Sequence, residues 1–385
     1  MNYDVTIIGG GLAGLALAVA LRGSRLKVAV VEAQAPVRPT GWDARIYAIS
    51  PANARFLAEI GVWQYLDSER IAPVRQMSVH GDRHGTIEFS AYDSGVGELA
   101  WIAEASLLQH ELRETAKRQA NLELLCPATP TRLTIGERDV LLELADRRKL
   151  TSRLIVAADG ADSWTRTAAG IDVHFQPYEQ MGVVANFSTA RPHRHVAWQW
   201  FRHDGILAYL PLPGSNRISI VWSTPTDHAQ ELLALSPEEF CTRVAAAGNQ
   251  QLGQLELITP PAGFPLRLMR APRVVAPRLA LIGDAAHTIH PLSGHGINLG
   301  FQDAKSLADT LIACPAHIDC GDLTWLRRHE RARREEVIAL QSATHGLQRL
   351  FGPVPEPVAL LRNLGMNFVN RLPVIKDVLT RYAMG

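Results

Sequence analysis

The passage that excludes most folds is Val5-Thr6-Ile7-Ile8-Gly9-Gly10-Gly11-Leu12-Ala13-Gly14, followed at once by Leu15-Ala16-Leu17-Ala18-Val19-Ala20-Leu21. A β-branched run turns into a helical run across GxGxxG. Gly9 permits the tight turn, Gly11 lets a pyrophosphate approach the backbone at the helix N-terminus, and Gly14 lets the helix pack close to the sheet. A second strand, Lys27 to Val31, ends at Glu32, eighteen residues after Gly14. An acid there can accept hydrogen bonds from an adenosine ribose. Strand, glycines, helix, strand and acid in this order predict a Rossmann-like α/β unit that binds a dinucleotide through Gly9, Gly11, Leu12, Ala13, Gly14, Glu32 and Ala33. They do not choose between NAD and FAD.

The chain has 385 residues, room for two domains and a crevice between them. A formal net charge of +1 gives no global field for nucleic acid. Cys126, Cys241, Cys314 and Cys320 are too few and too scattered for a disulfide framework. Cys314, His317 and Cys320 make a poor metal site in a Pro-containing turn, so no metal is expected. That cysteine usage suits a reducing cytoplasm. Asn2-Tyr3-Asp4 leads straight into a strand, with no signal-peptide pattern. The apolar stretch Leu12 to Leu21 is too short to span a bilayer.

Two later passages narrow the cofactor. Leu154 to Ala158 reads as a buried strand running into Asp159-Gly160-Ala161-Asp162-Ser163-Trp164-Thr165-Arg166. This DGxxSxxR pattern resembles the flavin hydroxylases related to para-hydroxybenzoate hydroxylase. The resemblance implies that Asp159 and Arg166 lie near the FAD pyrophosphate and bear on NAD(P)H binding. Arg278 to Ile282 is a strand that ends in Gly283-Asp284-Ala285-Ala286-His287, and Pro291-Leu292-Ser293-Gly294-His295-Gly296-Ile297-Asn298 follows. It resembles the same family's second FAD motif, with Asp284 on the ribityl chain. The loop from Pro291 through Gly294, His295 and Gly296 to Asn298 is then implied to pass the isoalloxazine ring. A helix from about Gly296 through Leu307 would aim its N-terminus at N1 and O2 of the flavin. His287 is expected to be structural, and no obligatory acid or base is assigned.

Laid out whole, the chain resembles the ubiquinone-biosynthesis FAD-dependent hydroxylases. Asp43-Ala44-Arg45 with Ala48-Ile49-Ser50 looks like their DxRxxALS segment. Glu104, Leu107, Gln109 and Leu112 fit their next helix, and Phe201 with Ala208 to Leu212 fits their F…GPLALLPL stretch. The end, from Leu361 through Pro373 and Lys376 to Ala383-Met384-Gly385, looks like their terminus. One position departs: the family's P-x-x-G-Q-G has His295 in place of Gln, an imidazole that titrates near neutral pH. The resemblance implies an enzyme that uses NADH or NADPH and O2 through a C4a-hydroperoxyflavin to hydroxylate a polyprenyl phenol or quinol intermediate. Arg45 and Gln109 join the cofactor-binding set, and Arg45, Arg166 and Asp159 are candidates for guiding NAD(P)H. A hydroxylase of a small soluble aromatic, a lipid-reducing flavoprotein of the same fold, and a non-catalytic flavoprotein subunit stand as alternatives.

The expected organisation is a discontinuous FAD-binding domain over 1–75, 100–170 and 270–325. A β-rich substrate domain takes 76–99 and 171–269, and a helical region takes 326–385. Alternation in His195 to Phe201 and Arg217 to Trp222 marks strands. Trp198, Trp200, Trp222 and Tyr209 are candidate wall residues against a core-packing default. The charge block Arg327 to Glu336 reads as a solvated helix face. The polyprenylated substrate implies peripheral contact with the inner membrane surface, and other proteins of the same biosynthesis are candidate partners.

Overall fold

The glycine-rich passage lies at the centre of a parallel sheet. The computed structural model describes residues 2–36, 41–83, 85–289, 296–351, 356–370 and 372. Strand Asn2–Ile8 pairs in parallel with Val28–Val31 on one side and Lys149–Ala157 on the other. Leu122–Leu125 and Leu279–Leu281 extend the parallel set outward. Val140–Leu144 and Pro130–Ile135 fold back on Lys149–Ala157 as an antiparallel extension, and Val275–Ala276 closes the far edge. The central strands are apolar on both faces because both are covered, as parallel sheets require. This is the α/β, Rossmann-like architecture the Gly-rich passage predicts.

Nine helices are described. They are α1 (Leu12–Ala20), α2 (Pro51–Glu59), α3 (Ala105–Lys117), α4 (Trp164–Ala168), α5 (Thr226–Ala234), α6 (Pro237–Ala247), α7 (Gly296–Ile312), α8 (Leu323–Phe351) and α9 (Glu356–Asn370). Helix α1 is apolar all round and is sandwiched by α3 and α7 in the main core. Helix α7 runs beyond the expected Leu307, since Ala308 and Leu311 continue its buried stripe.

A second, nine-stranded sheet stands beside the first. Its order is His287–Thr288, Ala262–Arg270, His174–Thr189, Arg217–Pro225, Gly205–Pro211, Val196–Arg202, Gln76–His80 and Thr86–Ser90, with Leu255–Leu257 pairing on His174–Thr189. Ile46–Ile49, Ala100–Glu104 and Ile71–Val74 form a small sheet at the junction. Helices α5 and α6 cover one face of the large sheet. Trp198, Trp200, Tyr209 and Trp222 point to that face and pack with Phe187, Phe240 and Val244. The core-packing default therefore holds for all four, and the opposite face is the one turned to the nucleotide half.

Helix α8 corrects the reading of the charge block. Arg327, Arg328, Arg331 and Arg334 are exposed, but His329 and Arg333, four residues apart, turn inward and are buried. Helix α9 seals the last strand of the large sheet with side chains. Asn363 Oδ1 accepts from Gly85 N (3.1 Å) and Arg83 N (3.2 Å), Asn367 Oδ1 from Thr86 N (3.0 Å), and Asn370 Oδ1 from Glu88 N (3.0 Å). A helix rises about 6 Å in four residues and a strand about 6.7 Å in two, so helical asparagines can match alternate strand amides. The other side of α9 leaves Leu364 and Phe368 exposed. Among the described residues no helix is long and apolar enough to cross a membrane.

Candidate functional site

Three turns converge at the C-terminal ends of the parallel strands, where ligands of such sheets bind. The first is a cradle made of missing side chains. Gly9 has φ +110°, and a Cβ there would lie 2.3 Å from the Ala158 carbonyl oxygen. A Cβ on Gly14 would lie 2.1 Å from the Gly9 oxygen, whereas one on Gly11 would meet nothing within 4 Å. Gly9 and Gly14 thus close the turn, and Gly11 keeps the space above the helix start clear. No side chain caps α1, so its first-turn amides stay available. Glu32 accepts from Gly10 N (2.6 Å) and Gln34 N (2.9 Å), and Gln109 Nε2 donates to Gly10 O (2.9 Å). Leu12 and Ala13 are half-buried at the start of α1, and Ala33 is exposed just past Glu32.

The second turn is braced by the residues expected to act on the cofactor. Asp159 accepts from Ser163 Oγ (2.5 Å), Thr165 N (2.9 Å) and Thr165 Oγ1 (2.8 Å). Arg166 is buried, and it donates to Ala285 O (3.0 Å) and Ala161 O (2.9 Å). Burial lowers its pKa, against the pull of Asp159 and Asp162. The Arg166 charge is spent on main-chain carbonyls of the second and third turns, so it ties the two together and does not face a groove.

The third turn presents Asp284. Gly283 has φ +59° and sits against Ala13, joining this turn to the first. The Asp284 side chain is exposed, yet protein surrounds it closely enough that desolvation raises its pKa, offset by His287 and Arg45. Among the described residues its carboxylate accepts no hydrogen bond. Tyr47 stands nearby, with a pKa raised by burial and then by Asp284. Behind the turn, Asp303 Oδ2 accepts from Gly283 N (3.0 Å) and pairs with His287 Nε2 (2.7 Å), while Oδ1 takes Arg333 Nε (2.8 Å). Burial opposes charge at both partners, but the pairing wins. His287 is raised and Asp303 is held well below the usual carboxylate range. His329, buried beside them, is pushed down to about 4 by desolvation. His287 is therefore held in a buried pair with Asp303 behind the site.

Arg45 reaches the site on a loop pinned from both halves. Asp43 accepts from Arg45 N (2.9 Å) and Ser106 N (3.1 Å). Buried Glu104 accepts from Asp43 N (2.6 Å) and from Arg70 Nε (2.7 Å), and Arg70 lies over the Trp42 ring. Asn186 of the large sheet donates to Asp43 O (2.9 Å). At the start of α7, Asn298 accepts from Ser50 N (3.0 Å) and donates to Ala48 O (2.8 Å), fixing the helix end that carries Gly296 and Ile297. Pro291, Gly294 and His295 lie outside the described residues. Asp303, Arg333 and Arg70 carry no motif that points to these roles, and Glu104 belongs to a motif that gives no hint of its bonds to Asp43 and Arg70. The available signal for Asp303 is an acid on the buried stripe of Leu299 and Leu307.

The facing side of the large sheet mixes small and large side chains. Cross-strand partners run Gln199, Ala208, Val221, Val184 in one row and Phe201, Ile206, Ser223, Gly182 in the next. The tip of the Phe264 ring closes on Gly182, where a Cβ would be 2.7 Å from Cζ. At the other end Phe201 stacks on Phe351 of α8, 3.9 Å between centroids. These two rows form part of the sheet face turned to the nucleotide half. A separate cavity of about 460 Å³, lined by Ser68, Pro73, His195, Gly214 and Arg217, shares no residue with them.

These parts fit FAD. The first turn has a side-chain-free cradle at a helix N-terminus for a pyrophosphate. Asp284 is a carboxylate lacking a donor where ribityl hydroxyls would supply one. A second helix N-terminus, at Gly296, stands where the ring would lie. The comparisons agree. A family profile described as FAD binding domain matches residues 2–318. The chain is 35% identical to the ubiquinone hydroxylase UbiL of Rhodospirillum rubrum, covering 99% of this chain and 89% of that one. It is 31% identical to the 3-demethoxyubiquinol 3-hydroxylase of Escherichia coli over 99% and 98% of the two chains. The crystal structure of p-nitrophenol 4-monooxygenase PnpA from Pseudomonas putida superposes with a TM-score of 0.81 at 17% identity, covering 100% of this chain and 99% of that one.

Proposed function

The chain belongs to the FAD-binding-domain family of flavoprotein hydroxylases, and from that premise we propose that it hydroxylates the aromatic ring of a polyprenylated phenol or quinol on the route to ubiquinone. The observation that carries the substrate class is similarity over nearly the full length to ubiquinone hydroxylases, including the part that builds the large sheet.

Bound FAD would supply the redox chemistry, electron uptake from NAD(P)H and activation of O2 for hydroxylation of an electron-rich ring. The protein supplies place and field. Gly9 to Gly14 and the α1 amides would hold the pyrophosphate, Glu32 the adenosine ribose and Asp284 the ribityl hydroxyls. The N-terminus of α7, kept in register by Asn298, would face the pyrimidine edge of the ring, where negative charge collects on reduction. The sheet face turned to the nucleotide half would seat the substrate ring, and its largely apolar rows would keep water away. NAD(P)H has no second GxGxxG to bind, so it approaches the surface around Arg45 and Arg267, the cations close enough to act on Asp284. Exposed Leu347, Leu350, Leu364 and Phe368 on α8 and α9 support one-sided contact with a lipid surface, which a polyprenylated substrate requires.

The test is a quinone profile of cells lacking the protein, with and without the gene restored. An accumulated, under-hydroxylated prenylated ring that disappears on restoration is the expected result. An unchanged quinone pool sinks the proposal.

A further inference from the structure

The cavity of about 460 Å³ lies where the small sheet meets the large one. Strand Ile71–Val74 forms one wall, and the turn from Leu212 to Arg217 forms another. Ile71, Pro73, Leu212 and Pro213 give it an apolar lining. His195 enters from a turn that its sequence does not favour. Arg194 has φ +51° and His195 φ +60°, and Val196 N closes the turn on His193 O (3.0 Å). Two successive left-handed residues suit Asn-Gly and strain a pair with large side chains. Strain of this kind points to a use for the side chain it places. His193 braces both walls at once. Its Nδ1 accepts from His195 N (3.0 Å), and its Nε2 donates to Leu212 O (3.0 Å) and Gly214 O (2.6 Å). The Nδ1 of His195 is sealed off without a partner, so Nε2 is the ring nitrogen left to meet the cavity. A neutral ring with its proton on Nε2 offers a donor there.

The polar groups of the lining indicate the ligand. His195, Arg217, Ser68 and Ser215 present donors, and Glu69 is the one carboxylate among the lining residues. The Arg217 guanidinium lies over the Trp42 ring (5.5 Å) and makes a long bond to Pro213 O (3.4 Å). Among the described residues no carboxylate pairs with it. A bare anion would suit Arg217 and oppose Glu69. A phosphate on a ribose suits both, with oxygens for Arg217 and His195, hydroxyls for Glu69, and a base on the apolar lining. Position selects among nucleotides. Trp42 also carries the Arg70 guanidinium (4.4 Å) and stands three residues before Arg45. Three residues span at most about 11 Å of chain. The cavity and the Arg45 surface are thus within reach of one extended dinucleotide. We propose that the cavity holds the adenosine phosphate end of NAD(P)H while the nicotinamide end passes Arg45 toward the flavin. This rests on the hydroxylase reading above and deepens it, giving the reductant a site that no second GxGxxG supplies.

The experiment uses the FAD-loaded full chain and two readouts. Calorimetry with ADP-ribose, which has the adenosine and both phosphates but no nicotinamide, measures binding without any redox step. Stopped-flow reduction of the flavin by NADH and by NADPH separates the Kd of each from the rate at saturation. Arg217→Ala should weaken ADP-ribose and the better reductant by about tenfold or more, the worth of a hydrogen bond to a charged group. The rate at saturation should be kept. His195→Asn, which suits the left-handed turn, should weaken both ligands to a smaller extent. Ser215→Trp fills the cavity from an exposed rim position and should block ADP-ribose with FAD content unchanged. Unaltered Kd values in Arg217→Ala and Ser215→Trp overturn the assignment and leave the hydroxylase reading intact. ADP-ribose that binds without competing with NAD(P)H also overturns it. If neither NADH nor NADPH reduces the wild-type flavin, the hydroxylase reading itself falls, and the assignment with it.

Discussion

The nucleotide half and the large-sheet half solve opposite problems. In the first, missing side chains at Gly9 and Gly14 close the turn and one at Gly11 leaves the helix start clear, while charged groups hold the backbone. Asp303, His287, Arg333 and Arg166 end on one another, on main-chain atoms or, for Arg333, on Glu336 as well. In the second, the backbone is an ordinary sheet, and its character lies in the size and polarity of the side chains along its rows. A site for an invariant cofactor can be written in main-chain geometry, whereas a site for a particular substrate is written on interchangeable strand positions.

That contrast can be broken most forcefully at Asp303. Asp303→Ala leaves His287 buried without its carboxylate and Arg333 with Glu336 alone, a loss of about 3–5 kcal/mol. Ser223→Ala in the large sheet should cost under about 1 kcal/mol. Urea unfolding of both variants measures the difference, and equal losses would erase the distinction between the halves. Next in size is a pH effect. The folded pKa of His329 is about 4, below its ordinary value of 6.5, so between those values the unfolded chain binds a proton that the folded chain refuses. Stability should fall as pH drops through that window, by at most roughly 3 kcal/mol. His287 has the opposite sign: its raised pKa contributes stability fully present below about 6.5 and lost as pH rises through the folded value. His329→Asn should flatten the acid limb of a stability–pH curve; an unchanged slope there would assign the loss to other groups.

A smaller effect separates ligand binding from folding. Asp284→Ala should weaken FAD binding by about 1.5–3 kcal/mol, the range for a charged hydrogen bond. The flavin-free chain should unfold no earlier, because the carboxylate removed is desolvated and unpartnered. Flavin retention on gel filtration, with the melting midpoint of the flavin-free form, checks both halves of the expectation. Smallest is Gly182→Val, whose side chain would push the Phe264 ring off the sheet. Phe264 is partly exposed and can turn away, so the cost in stability is about 1 kcal/mol. The KM for the aromatic substrate should rise while FAD content stays at the wild-type level; a fall in FAD content would mean that the two sites are not separable.

The same contrast explains what the sequence discloses. The Gly9 to Gly14 passage, Glu32, Asp284 and the succession of strands are legible because their spacing is imposed by a backbone path that tolerates few residue types. Arg166 is visible as a motif residue, but its job is not, since a cation near a phosphate and a cation on carbonyls leave the same letter. The Arg327 to Glu336 run hides two inward residues because charge outvotes periodicity until His329 and Arg333 are counted four apart. Alternation correctly separates Trp198 and Trp200 from Gln199, yet it cannot say which face meets the nucleotide half. That depends on where α5 and α6 come to rest.

The asparagines of α9 bear on the behaviour of the whole molecule in a crowded solution. Strand Thr86–Ser90 ends the large sheet, and its outward amides are the kind of open edge along which β-structures recruit other chains. Asn363, Asn367 and Asn370 occupy those donors without adding another strand, so the sheet ends in a helix that cannot template further pairing. A chain shortened before Glu356 would keep its nucleotide cradle and lose this stopper. Its expected failure is edge-to-edge aggregation, with the fold otherwise formed.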